Sequence, residues 1–457
     1  MAQQFKEQGG AATMDPSSLR RWLQSKVMTH IVGPKRFQSK RERFEKQRVK
    51  SGASHRVEYF HQVRDGYSHL AAQCLAILVQ RYDIELVCHL VDGPSGNNAP
   101  EPDLLLKLSR YDASCIASEY GLTFSEHPEP PSEELANLAI AILAAQSDQD
   151  FIKHAAQIGD ALWSADQARL HQLAQQLSKA SPQQLAQRIE QGNTRRAQLG
   201  HYSGAMFYYG GEWYWGVDRL YHLEKRLGDL GVDRTSEKPL LMPRPAIDNG
   251  PLRDDGSLTL EFYPSLRSPY TAIVFDRVLE LASATGLNLE VRPVLPMVMR
   301  GVPATQIKGM YIFADAAREA REAAVDYGNF YDPIGDPVRR CYSLYPWACE
   351  QGKGIELLSA FLNCAFAKGI NTNTDRGLQQ VVEQAGLDWQ QAKNLVGQAG
   401  WEEPLENNRL AMYKAGLWGV PSFRLLGTEG QQLLALWGQD RLWLIAREIQ
   451  RQLKNGD

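Results

Sequence analysis

The sequence offers chemistry where an apolar stretch runs into Ser268-Pro269-Tyr270-Thr271. Serine is a preferred helix N-cap and proline suits the first helical turn, so a helix is predicted to begin here. The N-terminal end of a helix stabilises an anion through its backbone N–H groups and its dipole. Ser268 is therefore a candidate for holding an anion, in particular a thiolate. The competing interpretation is that these four residues only cap a helix.

Other catalytic centres cannot be assembled in the C-terminal half of the chain. The last of the ten histidines is His222, so this half has no imidazole base for a Ser-His-Asp triad. No CxxC pair occurs, and Ser268 and Thr271 occupy the two places where a redox pair would stand. Cys341 and Cys349 match no metal or disulfide-exchange motif and are interpreted as buried thiols.

The composition is that of an ordinary soluble protein. The chain has 457 residues, 43% of them hydrophobic, and 50 Lys and Arg against 53 Asp and Glu give a net charge of −3. These values exclude collagen-like, disordered and globally basic nucleic-acid-binding classes, and the length suggests two or three domains. There is no membrane-length apolar run, and the first residues do not form a signal peptide, so we expect a cytoplasmic protein.

Three blocks of the sequence recur in the same order. Residues 57–91 align without a gap onto residues 260–294. The identical pairs are Glu58/Glu261, Arg64/Arg267, Tyr67/Tyr270, Leu78/Leu281, Leu86/Leu289 and Val91/Val294. Further along, GHYSGAMF corresponds to GLWGVPSF, and WGVDRLYHLEKRL corresponds to WGQDRLWLIAREI. Three blocks in one order indicate a duplicated domain.

Each repeat is predicted to contain the same elements. The strands are expected at 57–61 and 84–91 in the first repeat and at 258–263 and 287–294 in the second, with helices at about 67–81 and 270–285 between them. The two strands of each βαβ unit should be parallel. Helical tracts, a hairpin and a terminal amphipathic helix follow. This is the order of a thioredoxin fold, so we predict an α/β protein of two tandem thioredoxin-like domains, each with a helical insertion.

The predicted boundaries follow from these repeats. A basic helical extension covers 1–50, a first thioredoxin-like domain 51–233, a Pro-rich linker 234–256 and a second such domain 257–457. The run PKRFQSKRERFEKQRVK in the extension could contact phosphate. The interpretation as a solvated helix face with interleaved Glu42 and Glu45 is favoured, so nucleic acid is not expected as a partner.

A proline precedes the third strand of the second repeat, in Gly419-Val420-Pro421-Ser422. In a thioredoxin-type fold a proline at this place is typically cis. It presents the backbone of the preceding residue, here Val420, to an extended ligand. We therefore expect a ligand site between this turn and Ser268.

Residues 257–450 resemble a known family. SPY after the first strand, GVPSF before the third and LWGQDRLWLIAREI at the end are similar to the 2-hydroxychromene-2-carboxylate isomerases. These enzymes and the kappa-class glutathione transferases belong to the DsbA-like thioredoxin superfamily. The tract IKGMYIFADAAREA resembles the K-x-x-Y-x-x-x-D pattern of that family through Lys308, Tyr311 and Asp315.

The resemblance implies a glutathione site. Ser268 would donate a hydrogen bond to the glutathione sulfur, and the Val420 backbone before Pro421 would pair with its cysteinyl part. The γ-glutamyl ammonium would be held by Asp440 with Gln439 beside it. The glycyl carboxylate would be held by Lys308. As alternatives, Lys308 is a solvated lysine, Asp440 caps the last helix and Tyr311 serves packing.

The first repeat departs from this pattern. Asp65-Gly66 replaces Ser268-Pro269, and Ala205 replaces Pro421. A carboxylate would repel a thiolate. The first repeat is therefore expected to have lost the site and to serve as a structural or partner-binding half, and its scattered histidines are not spaced as metal ligands.

The leading hypothesis is a glutathione-dependent isomerase or transferase acting on a small unsaturated, aromatic acid. One alternative is a non-catalytic thioredoxin-fold binding protein in which both sites have decayed. A thiol–disulfide oxidoreductase follows only from analogy of fold. A small-molecule substrate is expected, with no membrane partner, and the two domains could pack as a pseudo-dimer within a monomer.

Overall fold

The computed structural model describes residues 15–125, 127 and 129–456. The chain divides into two units. The N-terminal unit runs from Gln38 to Pro245, and the C-terminal unit contains Ala246 onward together with the residues up to Phe37. The boundary at Phe37 falls inside a helix, so part of the predicted basic extension belongs to each unit.

The N-terminal unit contains one four-stranded sheet among its described residues, in the order β2-β1-β3-β4. β1 and β2 are parallel, and the other neighbours are antiparallel. Helices α4 to α8 lie between β2 and β3 in the chain. The elements are α2 (Pro34–Ser51), β1 (Arg56–His61), α3 (Gly66–Arg81), β2 (Glu85–Leu90), α4 (Pro102–Ala117), α5 (Glu133–Ala144), α6 (Asp148–Trp163), α7 (Gln167–Gln176), α8 (Pro182–Gln198), β3 (Met206–Tyr209), β4 (Glu212–Trp215) and α9 (Leu220–Asp229).

The C-terminal unit has a sheet with the equivalent order, β6-β5-β7-β8, and again the first two strands of the chain are parallel. Helices α11 to α16 lie between β6 and β7 in the chain. The elements are α1 (Ser18–Val32), β5 (Thr259–Tyr263), α10 (Pro269–Thr285), β6 (Asn288–Val291), α11 (Gln306–Glu322), α12 (Asp336–Glu350), α13 (Gly354–Phe366), α14 (Asp375–Gln384), α15 (Trp389–Ala392), α16 (Glu402–Lys414), β7 (Ser422–Leu426), β8 (Gln432–Trp437) and α17 (Leu442–Gly456).

The predicted strands and helices of both βαβ units are confirmed, with one shortened strand. β6 was expected to extend to residue 294 but ends at Val291. Beyond Val291 the N–H groups of Arg292 and Val294 still donate to the carbonyls of Phe262 and Pro264, but Pro264 has no N–H to donate in return, so the regular ladder ends.

The core of the C-terminal unit fixes the strand that leads to Ser268. β5 is buried from Leu260 to Tyr263, as expected for a strand covered on both faces. Phe262 stacks on Phe423 of β7 with ring centres 5.3 Å apart, and it lies 5.4 Å from Phe275 of α10. Burying one phenylalanine side chain contributes about 1.5–3 kcal/mol. This packing joins β5, β7 and α10, the elements that flank Ser268 and the Val420–Pro421 turn.

Among the described residues, no helix combines the length and the apolar character needed to cross a bilayer.

Candidate functional site

Ser268 caps α10 and also reaches the segment before β7. Its Oγ accepts a hydrogen bond from the Thr271 N–H at 3.1 Å and donates to the Val420 carbonyl oxygen at 3.4 Å. Pro269 occupies the first helical turn, as predicted. The half-buried Ser268 hydroxyl therefore lies where the helix N-terminus meets the Val420 backbone.

The Val420–Pro421 peptide bond is cis, as the sequence predicted. The Pro421 carbonyl accepts from the Gly438 N–H at 3.0 Å, which ties this turn to the end of β8. Gly419 allows a close approach, because a Cβ there would lie 2.2 Å from Trp437 Nε1. The N–H of the half-buried Val420 makes no hydrogen bond to any residue that the structure describes. That donor can pair with an extended ligand.

Lys308 lies at the start of α11, near the turn that contains Val420. Its Nζ is 5.2 Å from the ring centre of Trp418, a geometry typical of a cation–π contact. Trp418 is 2% exposed. Burial lowers the pKa of the Lys308 amine to about 8. Lys308 is therefore a partly desolvated amine rather than the solvated surface lysine that was the alternative interpretation.

Gln439 and Asp440 lie in a single 3-10 turn between β8 and α17 but face different surroundings. Gln439 is buried, and its Nε2 donates to Glu319 Oε2 of α11 at 2.9 Å. Asp440 is partly exposed, and its Oδ1 lies 3.8 Å from Arg441 Nη1. Gln439 thus holds the turn against α11, while Asp440 carries the accessible carboxylate. The predicted contact of both with a ligand stays a prediction.

The structure brings part of the predicted site into direct contact. Ser268 touches the Val420 carbonyl. Lys308 is linked to this pair through Trp418, two residues before Val420, and Asp440 through Gly438, which binds the Pro421 carbonyl.

A buried polar group behind the site was only partly found from the sequence. The Tyr270 hydroxyl donates to Asp315 Oδ2 at 2.8 Å, and Arg318 donates to Asp315 Oδ1 at 2.6 Å. The K-x-x-Y-x-x-x-D pattern in the sequence indicates Asp315 but not Arg318 or Glu319. The signal was available for Glu319, because Lys308, Asp315 and Glu319 are spaced to share one helix face.

The prediction that Cys341 and Cys349 are both buried is wrong for one of them. Cys341 is buried, and burial raises the pKa of its thiol. Cys349 is exposed because it lies in the last turn of α12, beside the exposed Glu350.

The N-terminal unit has a different group at the corresponding helix start. Asp65 caps α3, and its Oδ2 accepts from both the N–H and the hydroxyl of Ser68 at 2.9 Å. Burial raises the pKa of Asp65 to about 6. Behind the cap, Tyr67 donates to Asp112 at 2.7 Å, just as Tyr270 donates to Asp315. The two residues of each pair are 45 positions apart in the sequence. The two units therefore share this tyrosine–aspartate hydrogen bond, although the residue that caps the helix differs.

Comparison with known proteins identifies the fold of the C-terminal part. Residues 259–450 match the family described as the DSBA-like thioredoxin domain. This part of the chain is a DsbA-like thioredoxin domain. No curated protein matches the sequence.

Several solved structures resemble part of the chain. A 2-hydroxychromene-2-carboxylate isomerase is 19% identical, with a TM-score of 0.37, and the match covers 43% of this chain and 97% of the isomerase. A probable DsbA oxidoreductase from Streptomyces coelicolor is 16% identical, with a TM-score of 0.34 and coverage of 44% and 91%. A thioredoxin-like oxidoreductase from Silicibacter pomeroyi is 15% identical, with a TM-score of 0.28 and coverage of 46% and 94%.

Proposed function

We propose that the C-terminal unit binds glutathione and acts as a glutathione-dependent isomerase or transferase on a small unsaturated, aromatic acid. The observation that carries the proposal is the meeting of two donors at one place. The Ser268 hydroxyl caps α10, and the Val420 N–H, for which no described residue provides an acceptor, stands before the cis peptide bond to Pro421. A helix N-terminus beside a backbone pairing site suits a peptide thiolate.

The charged side chains around these donors fit the ends of the tripeptide. The amine of Lys308 would bind the glycyl carboxylate, and the partly exposed carboxylate of Asp440 would bind the γ-glutamyl ammonium. Gln439 would act indirectly, by holding the turn that carries Asp440 against Glu319. The set contains one cation, one anion and two neutral donors, which match the glycyl carboxylate, the γ-glutamyl ammonium and the cysteinyl part of glutathione.

Bound glutathione would supply a nucleophilic sulfur able to add to and leave a conjugated double bond. The protein would keep that sulfur ionised through the Ser268 hydroxyl and the first-turn N–H groups of α10. The Val420 backbone would fix the cysteinyl part, so that the sulfur stays at the helix end.

The N-terminal unit is proposed to be a duplicated copy of the same domain that lacks the site. The equivalent strand orders and the matching Tyr67–Asp112 and Tyr270–Asp315 hydrogen bonds support this proposal. The buried carboxylate of Asp65 at the helix start would disfavour an anionic sulfur.

Calorimetric titration with glutathione and with S-methylglutathione tests the proposed function. Wild type should bind both peptides. Ser268→Ala should lower the affinity for glutathione roughly tenfold and leave the affinity for S-methylglutathione unchanged, because the methylated sulfur cannot ionise. Ser181→Ala, which removes the cap of α8, is the matched control and should change neither affinity. Absence of glutathione binding to wild type would sink the proposal.

A further inference from the structure

The N-terminal helix α1 binds the backbone of a distant segment in the C-terminal unit. Thr29 Oγ1 accepts from the Phe330 N–H at 3.0 Å, and Ser25 Oγ accepts from the Asp332 N–H at 3.0 Å. We call residues 330–334 the docked segment. Its N–H groups at 330 and 332 thus find their acceptors on a helix about three hundred positions earlier in the chain.

Arg21 continues the same row of contacts. Residues 21, 25 and 29 are four apart and share one face of α1. The guanidinium of Arg21 donates to the carbonyl oxygens of Asp332 at 2.7 Å and Ile334 at 2.5 Å, and it forms a salt bridge with Asp15 at 2.5 Å. Arg21 is 1% exposed. A buried guanidinium is costly unless its donors are paired. These contacts engage both terminal nitrogens of Arg21, whereas its buried Nε has no hydrogen-bond partner among the described residues.

The docked segment contains Asp332, whose carboxylate binds Arg267, the residue before Ser268. Asp332 accepts two hydrogen bonds from Arg267, at 2.9 Å from Nε and 3.0 Å from Nη2. Burial alone would raise the pKa of Asp332, but the charge and hydrogen bonds of Arg267 outweigh it and lower the pKa. This bidentate geometry orients the planar guanidinium of Arg267.

Arg267 retains hydrogen-bonding capacity beside the candidate site. Asp332 engages two of its five N–H donors, and no described residue accepts the others. Its side chain is 24% exposed, so solvent or a ligand can reach it. In the N-terminal unit the aligned Arg64 is 45% exposed, and its Nη2 lies 3.6 Å from Glu133 Oε1. No carboxylate among the described residues binds Arg64 in the bidentate way that Asp332 binds Arg267.

We propose that Arg267 binds the carboxylate of the substrate acid, and that α1 holds Arg267 in place through the docked segment and Asp332. Arg267 is then a specificity residue of the site, and Arg21 is a positioning residue that acts through Asp332. The chemical class of the ligand rests on the proposed function, an unsaturated acid.

The test uses the full-length protein and benzoylpropionate, a saturated aromatic keto acid that cannot react with glutathione, beside its neutral methyl ester. Wild type should bind the acid more tightly than the ester in a fluorescence or calorimetric titration without glutathione. Arg267→Gln should lower the affinity for the acid roughly ten- to a hundredfold and leave the affinity for the ester unchanged. Equal binding of acid and ester by wild type, or an unchanged preference in Arg267→Gln, would overturn the proposal.

Variants on α1 test the positioning role. Arg21→Gln should reduce the preference for the acid several-fold, and the double variant with Arg267→Gln should lose no more than Arg267→Gln alone. Arg20→Gln, one position away and exposed, is the matched control and should behave as wild type. Ser25→Ala removes the acceptor of the Asp332 N–H and the hydrogen bond from the Ser25 hydroxyl to the Arg21 carbonyl, but it leaves the Arg21 side chain in place. It should give a smaller loss and serves if Arg21→Gln does not fold. An unchanged acid preference in the folded Arg21 and Ser25 variants would refute the role of α1.

The two proposals fail separately. Glutathione titration decides the proposed function, whereas the comparison of acid and ester needs no glutathione and decides the role of Arg267.

Discussion

The side-chain amide of Gln439 donates to the carboxylate of Glu319 over 2.9 Å, and both residues are buried. This hydrogen bond joins the turn that carries Asp440 to α11. In the N-terminal unit the corresponding positions hold Val217 and Ile116, which are 1% and 0% exposed. The polar pair therefore occurs in the unit that carries Ser268, and apolar residues occupy the two corresponding positions of the other unit.

Exchange of this polar pair tests its role. Gln439→Val alone should lower the free energy of unfolding by about 2 kcal/mol, because the buried Glu319 carboxylate loses a donor. Adding Glu319→Ile should recover most of that loss, since an apolar pair can replace a buried polar one. Both variants should bind glutathione more weakly if the pair positions Asp440. Urea unfolding and calorimetry measure the two effects, and additive losses of stability would contradict the coupling.

The buried cap of the N-terminal unit predicts a pH-dependent stability. Burial raises the pKa of Asp65 from 3.8 to about 6, so ionisation is easier in the unfolded chain. The contribution of Asp65 to stability is complete below pH 3.8 and is lost as the pH rises through 6. The loss amounts to about 3 kcal/mol for a shift of about two pKa units. Unfolding between pH 4 and pH 8 should show this decline in wild type.

Asp65→Asn supplies the comparison. The asparagine oxygen can still accept from the Ser68 N–H, but it carries no charge, so the decline between acidic and neutral pH should shrink. Asp166→Asn changes an exposed cap on α7 and should leave the wild-type profile unchanged. A decline of equal size in wild type and Asp65→Asn would assign it to other groups.

Local features of the site could be predicted from the sequence. Ser268, Pro269 and Pro421 act through their own backbone preferences, so the helix start, its cap and the cis peptide bond follow from residue type and neighbouring elements. The parallel βαβ pairing follows from the short crossover helix in the same way. These are properties of a few adjacent residues.

Long-range contacts could not be predicted. Arg21 follows the exposed Arg20 in a helix near the N-terminus, and nothing in its neighbourhood indicates that it is buried against carbonyl groups more than 300 residues away. Likewise, a periodic pattern places Glu319 on a helix face but does not show that Gln439 meets it. Such pairs depend on which distant segments the tertiary fold brings together, and the spacing of residues along the chain does not determine that.

The lowered pKa of Lys308 predicts proton uptake when a ligand binds. At pH 8 about half of the Lys308 amines are neutral, because burial lowers the pKa to about 8. A carboxylate bound to the amine favours the charged form, so S-methylglutathione should bind with uptake of up to about half a proton. Titrations in buffers of different ionisation enthalpy measure this number, and the methylated sulfur removes thiol ionisation from it.

Replacement of Lys308 checks the origin of the uptake. Lys308→Arg keeps a permanent charge and should bind without taking up a proton near pH 8. Affinity in wild type should fall as the pH rises above 8, whereas Lys308→Arg should show a flatter profile. Proton uptake that persists in Lys308→Arg would place the titrating group elsewhere.

Ser268 should set the acidity of the bound thiol. A hydrogen bond from its hydroxyl to the sulfur favours the thiolate, so Ser268→Ala should raise the pKa of bound glutathione by about one unit. Ultraviolet absorbance of the thiolate across a pH series, with protein in excess, measures this value. Ser268→Thr retains a hydroxyl and a helix cap and should restore a low pKa, whereas Ser181→Ala controls for the roughly 1 kcal/mol that loss of any cap costs. An unchanged thiol titration in Ser268→Ala would show that the N–H groups of α10 act without the hydroxyl.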